Sequence, residues 1–174
     1  MTQYQIIAPT LPRQVGGDYL RSLELMGAEK MKSISEAGLY LVTNRSPMPI
    51  RRGLRRMATY FRREFGYDFV QYSEREDNDP KETLGFLFTD GFGGYDERVI
   101  GGSMFRWREY KDSPPGWALQ WIWLHPYERG KGKLKDALPA FKLLFGDNFF
   151  VEGPRSAAMK AFLEKHYPNG LPHA

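Results

Sequence analysis

The segment formed by residues 117–134, WALQWIWLHPYERGKGKL, constrains the fold more than any other part of the sequence. It begins as a run of large apolar residues, typical of a buried strand, which stops at His125-Pro126. A short turn with two glycines and several basic residues follows, and then a helical pattern begins. Backbone N–H groups have no partner at a helix N-terminus, and the helix dipole adds positive potential there. The segment therefore predicts a strand, a turn and a helix that bind a phosphate-bearing ligand.

The turn, residues 129–135, reads RGKGKLK and differs from two common phosphate-binding motifs. The sequence contains no G-x-x-x-x-G-K-[ST], so the turn is not a P-loop. It contains no G-x-G-x-x-G either, which excludes the dinucleotide-binding fingerprint. A solvated basic turn without a ligand is the alternative to an anion site, and the order of the surrounding elements decides between the two.

Composition sets broad limits on what the chain does. Its 174 residues fit a single domain, residues 1–174, and 41% hydrophobic residues indicate a globular protein. The chain lacks a secretory signal and an apolar run of about 18 residues, so we expect a cytoplasmic protein that does not cross a membrane. No cysteine is present and the three histidines are scattered, so no metal site is expected. The net charge of +4 favours an acidic ligand or partner.

Hydrophobic periodicity and breaker residues predict an alternation of helices and strands. Strands are expected at residues 4–7, 39–42, 67–72, 84–89, 99–107, 119–124 and 148–151. Helices are expected at residues 18–35, 49–65, 134–145 and 157–167. Residues 111–116 read as a turn. Pro139 interrupts the third helix, which should be kinked or start nearer Asp136, and Ser156 should cap the fourth.

The helix at residues 49–65 has the clearest amphipathic pattern. One stripe is apolar, and six arginines occupy the other faces: Arg51, Arg52, Arg55, Arg56, Arg62 and Arg63. A solvated charged face is one interpretation. The other is a basic strip, spanning Arg51 to Arg63, that binds nucleic acid or another polyanion, and the near absence of acidic residues in the strip favours it.

Residues 83–170 resemble the GNAT acyltransferase superfamily, whose signature reads V-x-P-x-x-R-G-x-G-x-G. The segment LHPYERGKGKL follows this pattern, with Leu124 at its apolar first position and Leu134 where a glycine or alanine is usual. The closing SAAMKAFLEKHY, residues 156–167, is similar to the last helix of the family. The resemblance implies an α/β (α+β) fold with a mixed, mostly antiparallel central sheet flanked by helices on both faces.

The resemblance also implies an acetyl-CoA-dependent N-acetyltransferase that transfers the acetyl group to a primary amine. The pyrophosphate would bind the turn formed by Arg129, Gly130, Lys131, Gly132, Lys133 and Leu134, and the pantetheine would run beside Trp123 and Leu124. Residues 83–170 would form the coenzyme-binding core, and residues 1–80 the acceptor side. The amine could sit on an anionic carrier, and a homodimer is compatible with this picture.

Catalytic residues are harder to assign, because the sequence departs from the family where chemistry is expected. Leu163 stands where the family often has a tyrosine acid, and Tyr167, four residues later, is a substitute whose alternative role is core packing. No acid lies between residues 117 and 124, where many relatives carry a glutamate base, but Gln120 could position a water or the substrate. His125 has a suitable intrinsic pKa for a base. Glu109 and Asp112 are further candidates.

Leu134 and Pro139 are consistent with a coenzyme site that is altered, with Lys131, Lys133 and Lys135 compensating by direct charge. The alternative function is therefore a protein of the same fold that binds or modifies nucleic acid, with reduced or altered acyl transfer. Salt-dependent binding of DNA or RNA without coenzyme binding would favour that alternative.

Overall fold

The computed structural model describes residues 26–90 and 98–167. The helices in these ranges are α1 (Ala28–Glu36), α2 (Met48–Phe65), α3 (Lys133–Phe145) and α4 (Ala157–His166). The strands are β1 (Leu39–Val42), β2 (Thr83–Asp90), β3 (Arg98–Tyr110), β4 (Ser113–Leu124) and β5 (Phe150–Val151). A short 3₁₀ helix, Pro126–Glu128, follows β4. None of the described helices is both long enough and apolar enough to span a lipid bilayer.

The five strands form one sheet in the order β1-β2-β3-β4-β5. Neighbouring strands are antiparallel except β4 and β5, which are parallel and pair only at Ala118 with Phe150 and at Leu119 with Val151. One further bond joins them, from the Glu152 N–H to the Leu119 oxygen at 3.0 Å. Beyond Leu119 the two strands separate. The predicted mixed, mostly antiparallel sheet is confirmed.

Helices cover both faces of the sheet, as predicted. One face packs against α2 through Val42, Ile50, Leu54, Met57, Ala58, Phe61, Leu87, Trp121 and Trp123. The opposite face packs against α1, α3 and α4 through a larger cluster that includes Ile34, Phe86, Phe105, Leu138, Phe141 and Leu163. Helix α2 approaches the sheet closely because glycine lies beneath it: a Cβ on Gly102 would lie 2.8 Å from the Met57 Cβ.

A β-bulge interrupts β4 at Gln120. In the register with β3, Met104 pairs with Trp121 and Phe105 pairs with Leu119, so Gln120 has no opposite residue. Side chains two positions apart normally share a face of a sheet, but the extra residue reverses this alternation. Leu119 therefore packs in the cluster beneath α3, whereas Trp121 packs beneath α2. The bulge lies where β4 and β5 begin to separate.

Two predictions about secondary structure are wrong. Residues 67–72 form an irregular segment rather than a strand. Gly66 ends α2 in the left-handed conformation, and residues 67–72 pair with none of the five described strands. The predicted turn at residues 111–116 is shorter than expected, since β4 already begins at Ser113 and carries Pro114 and Pro115 in its exposed first part.

The remaining elements follow the sequence closely. Helix α3 begins at Lys133 and continues past Pro139, which is exposed, so the expectation that it starts nearer Asp136 is wrong. The Ser156 Oγ accepts the Met159 N–H at 3.1 Å and caps α4, as predicted. Helix α1 begins after Gly27, so the part of the predicted first helix before residue 26 lies outside the described residues, as does the predicted strand at residues 4–7.

Candidate active site between strands β4 and β5

The separation of β4 from β5 opens a cavity of about 630 Å³, which we call the wide cavity. Strand β4 and the basic turn form one wall, and α4, along its length from Ala157 to His166, forms the other. The lining includes Glu64, Ile122, Trp123, Leu124, Arg129, Gly130, Gly132, Lys133, Leu134, Lys135, Ser156, Ala157, Met159 and Phe162. The sequence-predicted turn therefore lies at the mouth of a cleft large enough for an extended ligand.

A second, much smaller cavity of about 50 Å³ lies where the two strands part, and we call it the narrow cavity. It shares Phe65, Ile122, Ser156 and Met159 with the lining of the wide cavity. Its polar lining differs, since it comprises Tyr67, Gln120, Glu152, Arg155 and Ser156. The two cavities thus adjoin along these shared residues, and we call them together the cleft, which extends from the turn to the β-bulge.

The basic turn presents its backbone to the wide cavity. Gly130 and Gly132 have φ angles of +74° and +78°, which side chains rarely adopt, and no atom lies within 4 Å of the position of a Cβ on either residue. The first helical backbone bond of α3 runs from the Asp136 N–H to the Gly132 oxygen. Within the described residues, the N–H groups between residues 130 and 135 donate to no backbone oxygen. The turn can therefore offer several amides to an anion.

The Arg129 side chain holds the turn against α2 and β4 through hydrogen bonds. Its Nη1 and Nη2 atoms donate to the two carboxylate oxygens of Glu64 on α2, at 2.6 and 2.7 Å. Its Nε donates to the Leu124 oxygen at 2.9 Å. The indole N–H of Trp123 donates to the same Glu64 carboxylate at 2.7 Å. Glu64 thus joins α2, β4 and the turn, and it offsets the charge of Arg129.

The positive charge available to a ligand comes from the lysines of the turn and from Lys165 at the end of α4. Lys131 lies 3.4 Å from the Glu128 carboxylate in an exposed ion pair, which contributes little binding energy. Lys133 and Lys135 line the wide cavity and have no ion pair among the described residues. Leu134, which departs from the family signature, packs partly against the core beneath α3 while it lines the cavity. Its bulk is thus accommodated by the core.

Alternate residues of β4 turn their backbone N–H and C=O groups towards the cleft. The His125 N–H donates to the Ile100 oxygen on the side of β3. Because backbone groups alternate along an antiparallel strand, those of Ile122 and Leu124 turn away from β3 and towards the cleft, whereas those of Trp123 face β3. Trp123 and Leu124 were predicted beside the ligand, and of these two only Leu124 turns its backbone groups towards the cleft, where its oxygen already accepts the Arg129 Nε. The backbone groups of Ile122 face the cleft as well.

The narrow cavity brings together a carboxylate, an amide and a phenol. Glu152, directly after β5, accepts hydrogen bonds from Arg108 at 2.6 Å and 3.4 Å. The Oε1 atom of Gln120 is buried and accepts no hydrogen bond from the described residues. Burial, together with the negative charge of Glu152, raises the pKa of the Tyr67 phenol above its usual value. Tyr67 is therefore protonated at neutral pH and can donate a proton.

His125 lies outside the lining of both cavities. It is 6% exposed, and its Nδ1 accepts the Tyr127 N–H at 3.2 Å, which caps the 3₁₀ helix that follows β4. Its ring also contacts Trp123 and Tyr127. The structure thus gives His125 a capping role at the end of the strand, and its predicted role as a base stays a prediction.

Tyr167 also lies outside both linings. It is 9% exposed, its ring contacts Phe149, and the Lys142 Nζ lies 4.9 Å from the ring centroid. Burial, with a smaller contribution from Asp147, raises its pKa to about 12. This is the packing role that the sequence left open. Glu109 and Asp112 lie at the β3–β4 hairpin, and neither lines the cleft.

Three residues that the sequence analysis passed over line this cleft, namely Glu64, Tyr67 and Glu152. Glu64 is distant in sequence from its partner Arg129, so no local pattern links the two. The sequence does show an acid, Glu152, directly after the strand predicted at residues 148–151. Its place beside Gln120 depends on the parallel pairing of β5 with β4, which the sequence does not show. The described residues contain no group of three or more potential metal ligands.

Comparisons with known proteins agree on the fold. No protein-family model and no curated protein matches the sequence. The structure is similar to an aminoglycoside acetyltransferase from an uncultured soil metagenomic sample, solved with trehalose, with a TM-score of 0.54 and 13% identity over 78% of this chain and 90% of that one. It is also similar to the xEco2 acetyltransferase domain bound to a CoA conjugate, with a TM-score of 0.54 and 13% identity over 74% and 86% of the chains. The chain has the GNAT fold.

Proposed function

We propose that this chain, which has the GNAT fold, transfers an acetyl group from acetyl-CoA to a primary amine. The observation that carries the proposal is the separation of β4 from β5 directly beside a glycine-rich basic turn. Two similar structures are those of acetyltransferases, and one of these was solved with a CoA conjugate. At 13% identity these likenesses support a fold, so the activity rests on the residues of the cleft.

The residues present fit a coenzyme A thioester. The wide cavity has room for an extended ligand, and the two glycines of the turn leave open space where side chains would otherwise stand. The amides of the turn and the lysines Lys133 and Lys135 would hold the pyrophosphate. The backbone of Ile122 and Leu124 would hydrogen-bond the pantetheine arm. When bound, acetyl-CoA supplies an acetyl group activated as a thioester.

The narrow cavity would handle the protons. An acceptor amine is protonated at neutral pH and must lose a proton before it attacks. The Glu152 carboxylate attracts the ammonium group and takes this proton, directly or through one water. The free amine attacks the thioester carbonyl and forms the C–N bond, and the C–S bond breaks as the Tyr67 phenol donates a proton to the departing sulfur. The Tyr67 phenolate then takes the second proton of the attacking nitrogen through water, and Glu152 releases the first proton to solvent. Gln120 accepts a hydrogen bond from the amine and orients it.

Calorimetric titration with CoA and acetyl-CoA tests the binding half of this proposal. We expect wild-type protein to bind both ligands, and the triple variant Lys131→Gln/Lys133→Gln/Lys135→Gln to bind them about tenfold to a hundredfold more weakly because the phosphates lose three cations. Lys81→Gln/Lys111→Gln/Lys160→Gln removes the same charge from exposed positions outside the cleft and should bind normally.

A thiol-release assay with a panel of primary amines tests the catalytic half. Release of CoA that depends on the amine, with an acetylated product detected by mass spectrometry, supports the proposal. A folded protein that binds neither CoA nor acetyl-CoA would refute it, and the alternative of a nucleic-acid protein on this fold would then lead. Assignment of residues 1–80 to the acceptor side stays a prediction until an acceptor is found.

A further inference from the structure

The outward face of α2 carries a shallow groove of about 320 Å³ whose lining is dominated by arginines. The lining consists of Arg52, Arg55, Arg56, Thr59, Tyr60 and Arg63, and we call this surface the arginine groove. Helix α2 carries six arginines and no lysine. Guanidinium groups form forked hydrogen bonds to phosphate that an ammonium group cannot form. The choice of cation therefore indicates a ligand with carboxylate or phosphate oxygens.

The charge of the arginine groove is only partly compensated. The single acid of α2 is Glu64, whose carboxylate binds Arg129 of the basic turn. Arg55 pairs with Glu74 at 2.9 Å, while 47% of its side chain stays exposed. Among the described residues, Arg52 and Arg63 form no ion pair. An anion that reaches the groove would thus meet positive charge along its whole length.

The spacing of the arginines suits an extended ligand. Residues 52, 56, 59 and 63 are separated by four, three and four positions, so they form one stripe along the helix. At about 1.5 Å of rise per residue, Arg52 and Arg63 lie about 16 Å apart along the axis. A single phosphate cannot contact both ends. A polymer of phosphates can, since the charges along a nucleic acid strand recur at intervals of several ångströms.

The surroundings argue against a membrane as the occupant. Helices that bind a membrane surface insert an apolar face between the lipids. The apolar face of α2, which includes Ile50, Leu54 and Phe61, is buried against the sheet and is not available. The groove offers only arginines, one threonine and one tyrosine, and the Tyr60 ring is held against Trp123 at 5.0 Å between centroids.

We infer that the arginine groove binds the sugar–phosphate backbone of a nucleic acid. The inference does not depend on acetyl transfer, because the groove and the cleft have separate linings. They are nevertheless neighbours, since Tyr60 lines the groove and contacts Trp123, which lines the wide cavity. A nucleic acid in the groove would therefore pass close to the cleft.

Fluorescence anisotropy with a short fluorescein-labelled oligothymidylate strand tests the inference across a range of salt. We expect wild-type protein to bind and its affinity to fall as salt rises. The variant Arg52→Gln/Arg56→Gln/Arg63→Gln should bind more weakly, and the slope of log K against log salt should be shallower by about 2, from about 0.7 per phosphate contact. Between about 50 and 200 mM salt, wild-type affinity should therefore fall about twentyfold more than that of the variant.

Matched controls separate this result from a general effect of charge. The variant Lys81→Gln/Lys111→Gln/Lys160→Gln loses the same charge at exposed positions outside the groove and should keep the wild-type slope. Circular dichroism should show both variants folded, and both should bind CoA as the wild type does. Failure of wild-type protein to bind the strand at low salt would overturn the inference. So would equal slopes for the arginine variant and the wild type, or equally tight binding to anionic lipid vesicles that depends on the same arginines.

Discussion

The wide and narrow cavities belong to one cleft but are lined by different kinds of residue. The wide cavity is about 630 Å³ and is lined by a glycine turn, lysines and apolar side chains. The narrow cavity is about 50 Å³ and places Tyr67, Gln120 and Glu152 together at the β-bulge. The proposed binding of the coenzyme and the proposed chemistry therefore occupy separate parts of the cleft. Substitutions at one end should therefore change affinity, and substitutions at the other should change turnover.

Glu152→Gln should give the largest effect, at the narrow end. The amide can still accept a hydrogen bond from Arg108 but cannot take a proton, so we expect kcat to fall by about 10² to 10⁴. The KM for acetyl-CoA should stay near the wild-type value, because Glu152 does not line the wide cavity. Steady-state kinetics with a saturating amine measures both constants.

Glu109→Gln is the matched control, since Glu109 is an exposed carboxylate at the hairpin, outside both cavities. It should leave kcat and KM unchanged. If Glu152→Gln raised KM for acetyl-CoA and left kcat intact, the separation between binding and chemistry would be lost.

Arg129→Ala should give an intermediate effect, at the wide end. Without its partner, the Glu64 carboxylate would present negative charge to the wide cavity, so we expect CoA affinity to fall about 10- to 100-fold. Adding Glu64→Gln removes that charge and should restore most of the loss. Calorimetric titration of the two single variants and the double variant completes the cycle. Additive losses would mean that the two side chains act independently on the ligand.

Tyr67→Phe should give the smallest effect on turnover, a fall in kcat of about tenfold. A thiol has an ordinary pKa of about 8.5, so its thiolate leaves with little help from an acid. Because the raised pKa keeps Tyr67 protonated through neutral pH, the ratio of variant to wild-type rates should be constant between pH 6 and 9. An acid limb near pH 8, with the wild-type rate rising as the phenol ionises, that disappeared in the variant would show that the phenol acts as a base instead.

Tyr167→Phe is the matched control for the same loss of a hydroxyl. It should leave kcat unchanged, because Tyr167 lies outside the cleft.

The same variant tests the effect of Tyr167 on stability. The pKa of Tyr167 is about 12 in the folded protein and about 10 in the unfolded chain. The free energy of unfolding of the wild type should therefore be highest below pH 10 and should fall as the pH rises towards 12. That loss, about 2–3 kcal/mol, should be absent from the variant when unfolding is followed with urea.

Local sequence patterns predicted most of the fold. The periodicity of α2, with Gly66 at its end, and the Ser156 cap of α4 are set by neighbouring residues, so a reader of the sequence can find them. The glycine turn is likewise a local feature. The prediction of a strand at residues 67–72 was wrong because its aromatic residues suit a strand, and only the tertiary structure shows that the segment pairs with none of the described strands.

The sequence indicated most of the wide end of the candidate site, but only Gln120 at the narrow end. The turn that lines the wide cavity is contiguous in sequence, whereas the narrow cavity is assembled from a loop, a bulge and a strand end. A bulge at Gln120 cannot be read from alternation, because Trp121 and Trp123 remain in phase with each other after it. His125 looked suitable by its chemistry, yet its burial and its cap to Tyr127 depend on how β4 ends.

The hydrogen bond between Trp123 and Glu64 has a spectroscopic consequence. An indole whose N–H faces a carboxylate and whose ring has a guanidinium 5.8 Å away emits in a strong local field. A ligand that disturbed the pairing of Arg129 with Glu64 would alter this field and shift the emission of Trp123. The chain thus contains its own optical reporter at the mouth of the cleft, one that needs no attached dye.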